Sequence, residues 1–192
     1  MSSTTERWIV VGLGNPGDEY ARTRHNVGAM VVEDLAKRHH VTFSSHKSGN
    51  RIAEFKLGPI AITLAKPNSY MNSLGPQVRS LRDFYSLENS HLIALHDELD
   101  IDFAAIRIKF AGGENGHNGL KSMTASLGGP EYFRIRLGIG RPPGRQDPAD
   151  FVLKNFSSQE RDELASFIDR ASDAVESLIK EGLERSQSTF NS

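Results

Sequence analysis

The chain has 192 residues, a net charge of −1, 38% hydrophobic and 24% charged residues, and no cysteine. That length supports one domain with a substantial core, and the composition is that of an ordinary globular protein. Disulfides, thiol catalysis and cysteine-ligated zinc are excluded.

No apolar run approaches the length of a membrane span, and the opening MSSTTER is too short and polar for a secretory signal. The expectation is a cytoplasmic protein, one domain over 1–192, with no membrane contact. Charge is unevenly spread: Ser157 to Arg185 holds eight acids against four bases, and the remainder 16 acids against 19 bases. A mildly basic body beside an acidic C-terminal helix is compatible with a local nucleic-acid patch, or simply with a solvated surface.

Trp8 to Leu13 is a continuous apolar run ending beside glycine, the pattern of a buried strand. GLGNPG (Gly12 to Gly17) follows, then TRHNVG (Thr23 to Gly28), with Asn26 placed to cap a helix running to about His39. Arg51 to Leu57 and Pro59 to Ala65 alternate about Gly58-Pro59 and predict an antiparallel hairpin. Leu74, Val78, Leu81 and Tyr85 recur at helical spacing. His91 to Leu95 reads as a second buried strand, carrying Asp97 just beyond its end.

Ile106, Ile108 and Phe110 alternate with Arg107 and Lys109; Ile135, Leu137 and Ile139 alternate with Arg134 and Arg136. Between these strands, GGENGHNG opens a short helix over His117 to Leu127, and Arg141 to Pro148 reads as a structureless bend. Ser157 and Glu160 have capping-box spacing ahead of a long amphipathic helix over about 158–185. Strands and helices alternate around one core with at least one antiparallel pair, so the expected fold is α/β: a mixed twisted sheet flanked by helices.

Gly12, Gly14 and Gly17 imitate a dinucleotide fingerprint, but Asn15-Pro16 interrupts the loop and Asp18 to His25 has no apolar helical face. A nucleotide cofactor is therefore not expected. His25 lies in a loop before a helix, and an ordinary imidazole pKa of about 6.5 suits a general base; spacing alone weighs a structural role equally. Asp97, at the end of a buried strand, stands where open α/β sheets place chemistry and would orient His25. No G-x-S-x-G elbow is present, which favours attack by water over a serine intermediate.

His25, His96, Asp97 and His117 match no familiar metal spacing, and no metal is expected. Asn15, Asn72 and Asn118 cannot titrate and would hold and polarise a substrate; for Asn72 an N-cap role is the reading spacing favours. If their strands are neighbours, Arg107, Lys109, Arg134 and Arg136 make a phosphate-binding face opposite the core, with a solvated sheet face as the alternative.

Six motifs from Ile9 to about Gly182 resemble those of bacterial peptidyl-tRNA hydrolases: VGLGNPG, YxxTRHNVG, KPxxYMN, HDELD, GHNGLKS and RxRxGIGRP. The resemblance implies a single α/β domain without metal or other cofactor, acting on the ester of peptidyl-tRNA. It makes His25 the proton acceptor, Asp97 its support and Asn15 the group that senses a blocked peptide nitrogen. It places Tyr20, Tyr70, Asn72 and Asn118 against the tRNA end and the ester. A monomer is expected. A non-catalytic RNA-binding protein and a small-molecule esterase are the alternatives. Two departures stand out: Ala111 and Asn115 occupy positions where that family often has glycine.

Overall fold

The computed structural model describes residues 5–191. In chain order the elements are β1 (Arg7–Gly12), α1 (Val27–Arg38), β2 (Ser44–Ser45), β3 (Asn50–Leu57), β4 (Ile60–Pro67), α2 (Gly75–Phe84) and β5 (Leu92–Glu98). Then come β6 (Ile106–Phe110), α3 (Asn118–Leu127), β7 (Phe133–Gly138), α4 (Pro148–Val152), α5 (Ser158–Glu181) and α6 (Leu183–Phe190). The strands form one mixed sheet in the order β2-β3-β4-β1-β5-β7-β6. The β4-β1-β5-β7 centre is parallel, while β3-β4 and β6-β7 pair antiparallel.

The continuous apolar runs have a simple cause: β1 and β5 are covered on both faces. Val10, Ile93 and Leu95 face α1 and α5, meeting Val31, Leu35, Phe167, Ala171 and Val175. Ile9, Val11, Leu92 and Ala94 face α2 and α3, meeting Val78, Leu81, Leu120 and Met123. The predicted hairpin is β3–β4, closed between Leu57 and Ile60 with Gly58 at φ 61°.

From β1 the chain leaves by α1 to reach β4 on one side, and β5 lies on the other. The carboxyl ends of β1 and β5 therefore open a crevice between diverging connections, the usual ligand position in open α/β sheets.

Several local expectations change. The capping box at Ser157 and Glu160 forms in full, but α5 stops at Glu181, because Gly182 takes φ 89° and α6 turns back across β6. There Asn191 bonds both the N–H (2.7 Å) and the carbonyl (3.0 Å) of Ile108, covering an otherwise open strand edge. The bend after Arg141 runs only to Asp147, whose carboxylate caps α4. Asn26 does not cap α1 with its side chain, and Asn72 sits in a 3-10 turn over Met71–Ser73 ahead of α2, where Leu74 holds the cap position.

The N-terminus of α1 is pressed onto β5. A Cβ on Gly28 would lie 2.1 Å from the Leu95 carbonyl oxygen. Gly28→Ala is therefore expected to cost about 1–3 kcal/mol through overpacking. Urea unfolding should show a lower midpoint at unchanged slope; an unaltered midpoint would mean that this approach constrains nothing.

Candidate active site

A cleft of about 350 Å³ opens at the carboxyl ends of the central strands. Its polar floor is Asn15, His25, Asn72, Asp97, His117 and Asn118; its apolar wall includes Met71, Leu99, Pro148, Val152 and Leu153. Residues far apart in the chain converge because each follows a strand end or precedes a helix of the same sheet edge.

Asp97 is buried, at 3% exposure, and two imidazoles meet its carboxylate. His25 Nδ1 lies 2.9 and 3.0 Å from its two oxygens, and His117 Nε2 lies 2.8 Å from Oδ1. The His117 tautomer follows from its other nitrogen: Nδ1 accepts the backbone N–H groups of Gly119 (3.1 Å) and Leu120 (3.3 Å), capping α3. The proton is therefore on Nε2, and it is donated to Asp97. With His25 Nδ1–H also donating, His25 Nε2 is left as a lone pair on a residue that lines the cleft.

The electrostatics follow from this pairing. Burial pushes the Asp97 carboxyl up, but the imidazoles of His25 and His117 outweigh it and hold the group ionised well below the usual carboxylate range. Burial pushes His25 down, yet the charge and hydrogen bond of Asp97 outweigh that and raise it above the ordinary imidazole value.

Asn15 is fixed from two directions. Its Oδ1 accepts the Met71 N–H at 2.7 Å, which orients the amide. Asn26 clasps its backbone, accepting from Asn15 N–H and donating to Asn15 carbonyl, both at 2.9 Å. The Nδ2 of Asn15 is thereby left as a donor for a ligand in the cleft. Asn72 and Asn118 are side chains of the same cleft lining. Tyr70, 57% exposed, lines the mouth; Tyr20 stands outside the lining, edge-on to Tyr70 at 6.2 Å between ring centroids.

The loop carrying His25 is tied to the cleft's apolar wall. Arg24 bonds the Phe151 carbonyl (3.1 Å) and Glu160 (2.6 Å), and its guanidinium lies over the Phe151 ring. The glycine loop is tied as well: Asn115 Nδ2 donates to Glu98 (2.9 Å) and Asp100 (2.7 Å). Ala111 and Asn115 both have positive φ, 60° and 48°, which explains why glycine suits those two positions.

Strands β6 and β7 are neighbours, with Arg107 opposite Arg136 and Lys109 opposite Arg134. One of the four cations is not available to a ligand. Arg134 is fully buried, bonds the carbonyls of Gly113 and Pro130, and lies over Tyr132. It braces the glycine loop, a correction to its place in the expected phosphate-binding face. Arg107, Lys109 and Arg136 remain. Burial and then mutual repulsion lower Lys109, and burial with the neighbouring arginines lowers Arg136, so an anion there would relieve like-charge strain.

His25, Asp97 and His117 also offer three ligand atoms within 4.8 Å of one another. A cation held there would displace both N–H protons, and His117 would have to give up the two amides it accepts. The donor set therefore fits a base held by a hydrogen-bonded carboxylate better than a metal centre.

A family model described as peptidyl-tRNA hydrolase matches residues 9–192. The peptidyl-tRNA hydrolase of Streptomyces coelicolor is 56% identical over 201 aligned positions, covering all of both chains. The chain belongs to the peptidyl-tRNA hydrolase family. The Mycobacterium marinum member is 54% identical over 183 positions, covering 95% of this chain and 96% of that one. A crystal structure of the Acinetobacter baumannii member superposes with a TM-score of 0.90 at 33% identity, covering 100% of this chain and 98% of the other.

His25, Asp97, Asn15, Asn72 and Asn118 all line this one cleft, Asn72 despite the N-cap role its spacing favours. His117 joins them as a donor to Asp97, and Asn26 clasps Asn15 where a helix cap was expected. The available signal was a histidine in the cap slot of a glycine-rich helix start, where serine or aspartate is usual.

The pairing has a measurable consequence. In an NMR titration, His25 should have its midpoint above the ordinary value of about 6.5. Asp97→Asn removes the two raising influences and leaves burial, so the midpoint should fall below that value. Equal midpoints in the two proteins would contradict the pairing.

Proposed function

We propose that this chain hydrolyses the ester between peptide and tRNA in peptidyl-tRNA, with water activated at His25. The observation that carries this reading is the open Nε2 of His25, backed by the buried Asp97 and set beside the amides of Asn15, Asn72 and Asn118. His25 Nε2 takes a proton from water as the water oxygen bonds to the ester carbonyl carbon. The resulting imidazolium is stabilised by Asp97.

Negative charge moves to the carbonyl oxygen, where side-chain amides donate hydrogen bonds without exchanging protons. Collapse breaks the bond to the ribose oxygen, which leaves with the proton held by His25. The products are a peptide carboxylic acid, which releases its proton to solvent, and a tRNA with its terminal hydroxyl restored, so the reaction recycles tRNA for translation. An ester has a better leaving group than an amide, and one base without a metal is chemically sufficient.

The donor amide of Asn15 suits the carbonyl oxygen of a blocked peptide, whereas a free ammonium group could accept no hydrogen bond from it. Tyr20 and Tyr70 form an aromatic pair at the mouth suited to the tRNA end. Arg107, Lys109 and Arg136 suit tRNA phosphates. On this reading the protein works as a monomer in the cytoplasm, without cofactor.

Assay of N-blocked aminoacyl-tRNA tests the proposal. His25→Ala should lower kcat by about 10²–10⁴-fold, the usual contribution of a general base, while tRNA affinity stays within about twofold. A metal chelator should leave wild-type turnover unchanged. Binding without turnover would favour an RNA-binding protein; indifference to the tRNA moiety would favour a small-molecule esterase. Arg136→Ala and Lys109→Ala should weaken binding. Each should also reduce the slope of log affinity against log salt by roughly 0.7–0.9 for every phosphate left without its cation. An unchanged slope would remove both from the tRNA interface.

A further inference from the structure

His96 is the buried titratable group that the mechanism above leaves unused. It is 1% exposed and does not line the cleft. Its Nδ1 lies 2.8 Å from the backbone carbonyl oxygen of Asp97, so Nδ1 carries the proton and donates it there. Its Nε2 is then a bare lone pair, buried without a hydrogen-bond partner among the described residues. The ring meets His117 edge-on, with centroids 5.1 Å apart and planes at 68°. His96 therefore touches both the residue that holds the carboxylate and one of the two imidazoles that bind it.

An orphaned polar atom in a core weakens folding, and a leucine of similar volume would avoid it. The imidazole supplies two things that leucine cannot: a donor to the Asp97 carbonyl and a planar edge against His117. We propose that His96 is a positioning residue, which fixes the Asp97 peptide and the His117 ring so that Asp97 meets His25 squarely. The proposal rests on the reading of His25 as the base.

The charge state of His96 suits this role. Burial first, and then the proximity of His117 and Arg134, push it down to about 3, against the opposing pull of the Asp97 carbonyl and carboxylate. His96 thus stays neutral while His25 titrates, and the positive charge formed in the reaction is confined to the ring facing the cleft. Asp97, His117 and Arg134 act on it most strongly, and Arg136 stands opposite it on β7.

The test compares His96→Leu, His96→Phe and His96→Asn with wild type, using kcat and the pH profile of kcat/KM on N-blocked aminoacyl-tRNA, alongside thermal unfolding. Leucine and phenylalanine remove the donor; asparagine restores an N–H at the Nδ1 position. Whichever of the first two folds should melt at or above the wild-type temperature, yet lose about 10–100-fold in kcat. Its acid limb should move to lower pH, because a looser Asp97 no longer raises His25.

His96→Asn should recover most of kcat and the wild-type limb. An unchanged kcat, a loss with an unmoved limb, or a loss that asparagine does not restore would each overturn the inference. If wild-type kcat/KM shows no ionisation of His25 at all, the reading of the base fails instead, and the two failures are thus told apart.

Discussion

A buried carboxylate between two imidazoles is the constraint on which the rest of this molecule depends. Asp97 is removed from water, and an unpaired charge there would cost several kcal/mol. Two N–H donors offset that cost, and each must arrive with a particular nitrogen facing inward. For His117 the choice is made by the N-terminus of α3, whose free amides take Nδ1. For His25 it is made by a loop clamped through Arg24 at one side and by the tight seat of Gly28 on β5 at the other. Helix placement and side-chain protonation are thus one problem, solved together.

The two kinds of polar group are kept apart in the same way. The cleft floor holds the amides of Asn15, Asn72 and Asn118 beside the cluster of His25, Asp97 and His117. The cations Arg107, Lys109 and Arg136 stand on β6 and β7, outside the cleft lining. Alternation along β7 decides more than face: Arg134 and Arg136 point the same way, yet one is sealed beneath the glycine loop and the other is not. Sequence parity cannot distinguish these fates, because the loop that covers Arg134 is set by tertiary packing.

What the sequence made legible was whatever depends on short-range pattern. Trp8 to Leu13 and His91 to Leu95 read as buried strands and make up most of β1 and β5, and Ser157 with Glu160 announced its own cap. Strand β5 continues to Glu98, so Asp97 lies within it and not just beyond it. His25 and Asp97 were readable as a pair through the motifs around them, although 72 residues separate them. The rest required the folded chain. Asn26 looked like a helix cap and is a clasp on Asn15; Asn72 looked like a cap and faces the cleft. Both have side chains that can satisfy a local or a distant backbone group, and only packing chooses. His117 was hidden because its two roles, capping α3 and donating to Asp97, lie on opposite nitrogens of one ring. Gly182 broke a helix whose apolar periodicity continued through it, since a positive φ leaves no trace in that pattern.

The most direct test is to measure the single-turnover rate of N-blocked aminoacyl-tRNA hydrolysis across pH and overlay it on the NMR titration of His25 in the same protein. The account predicts that the rate constant rises through one ionisation whose midpoint coincides with that of the imidazole. A rate that is flat across the titration of His25, or that follows a different midpoint, would contradict it.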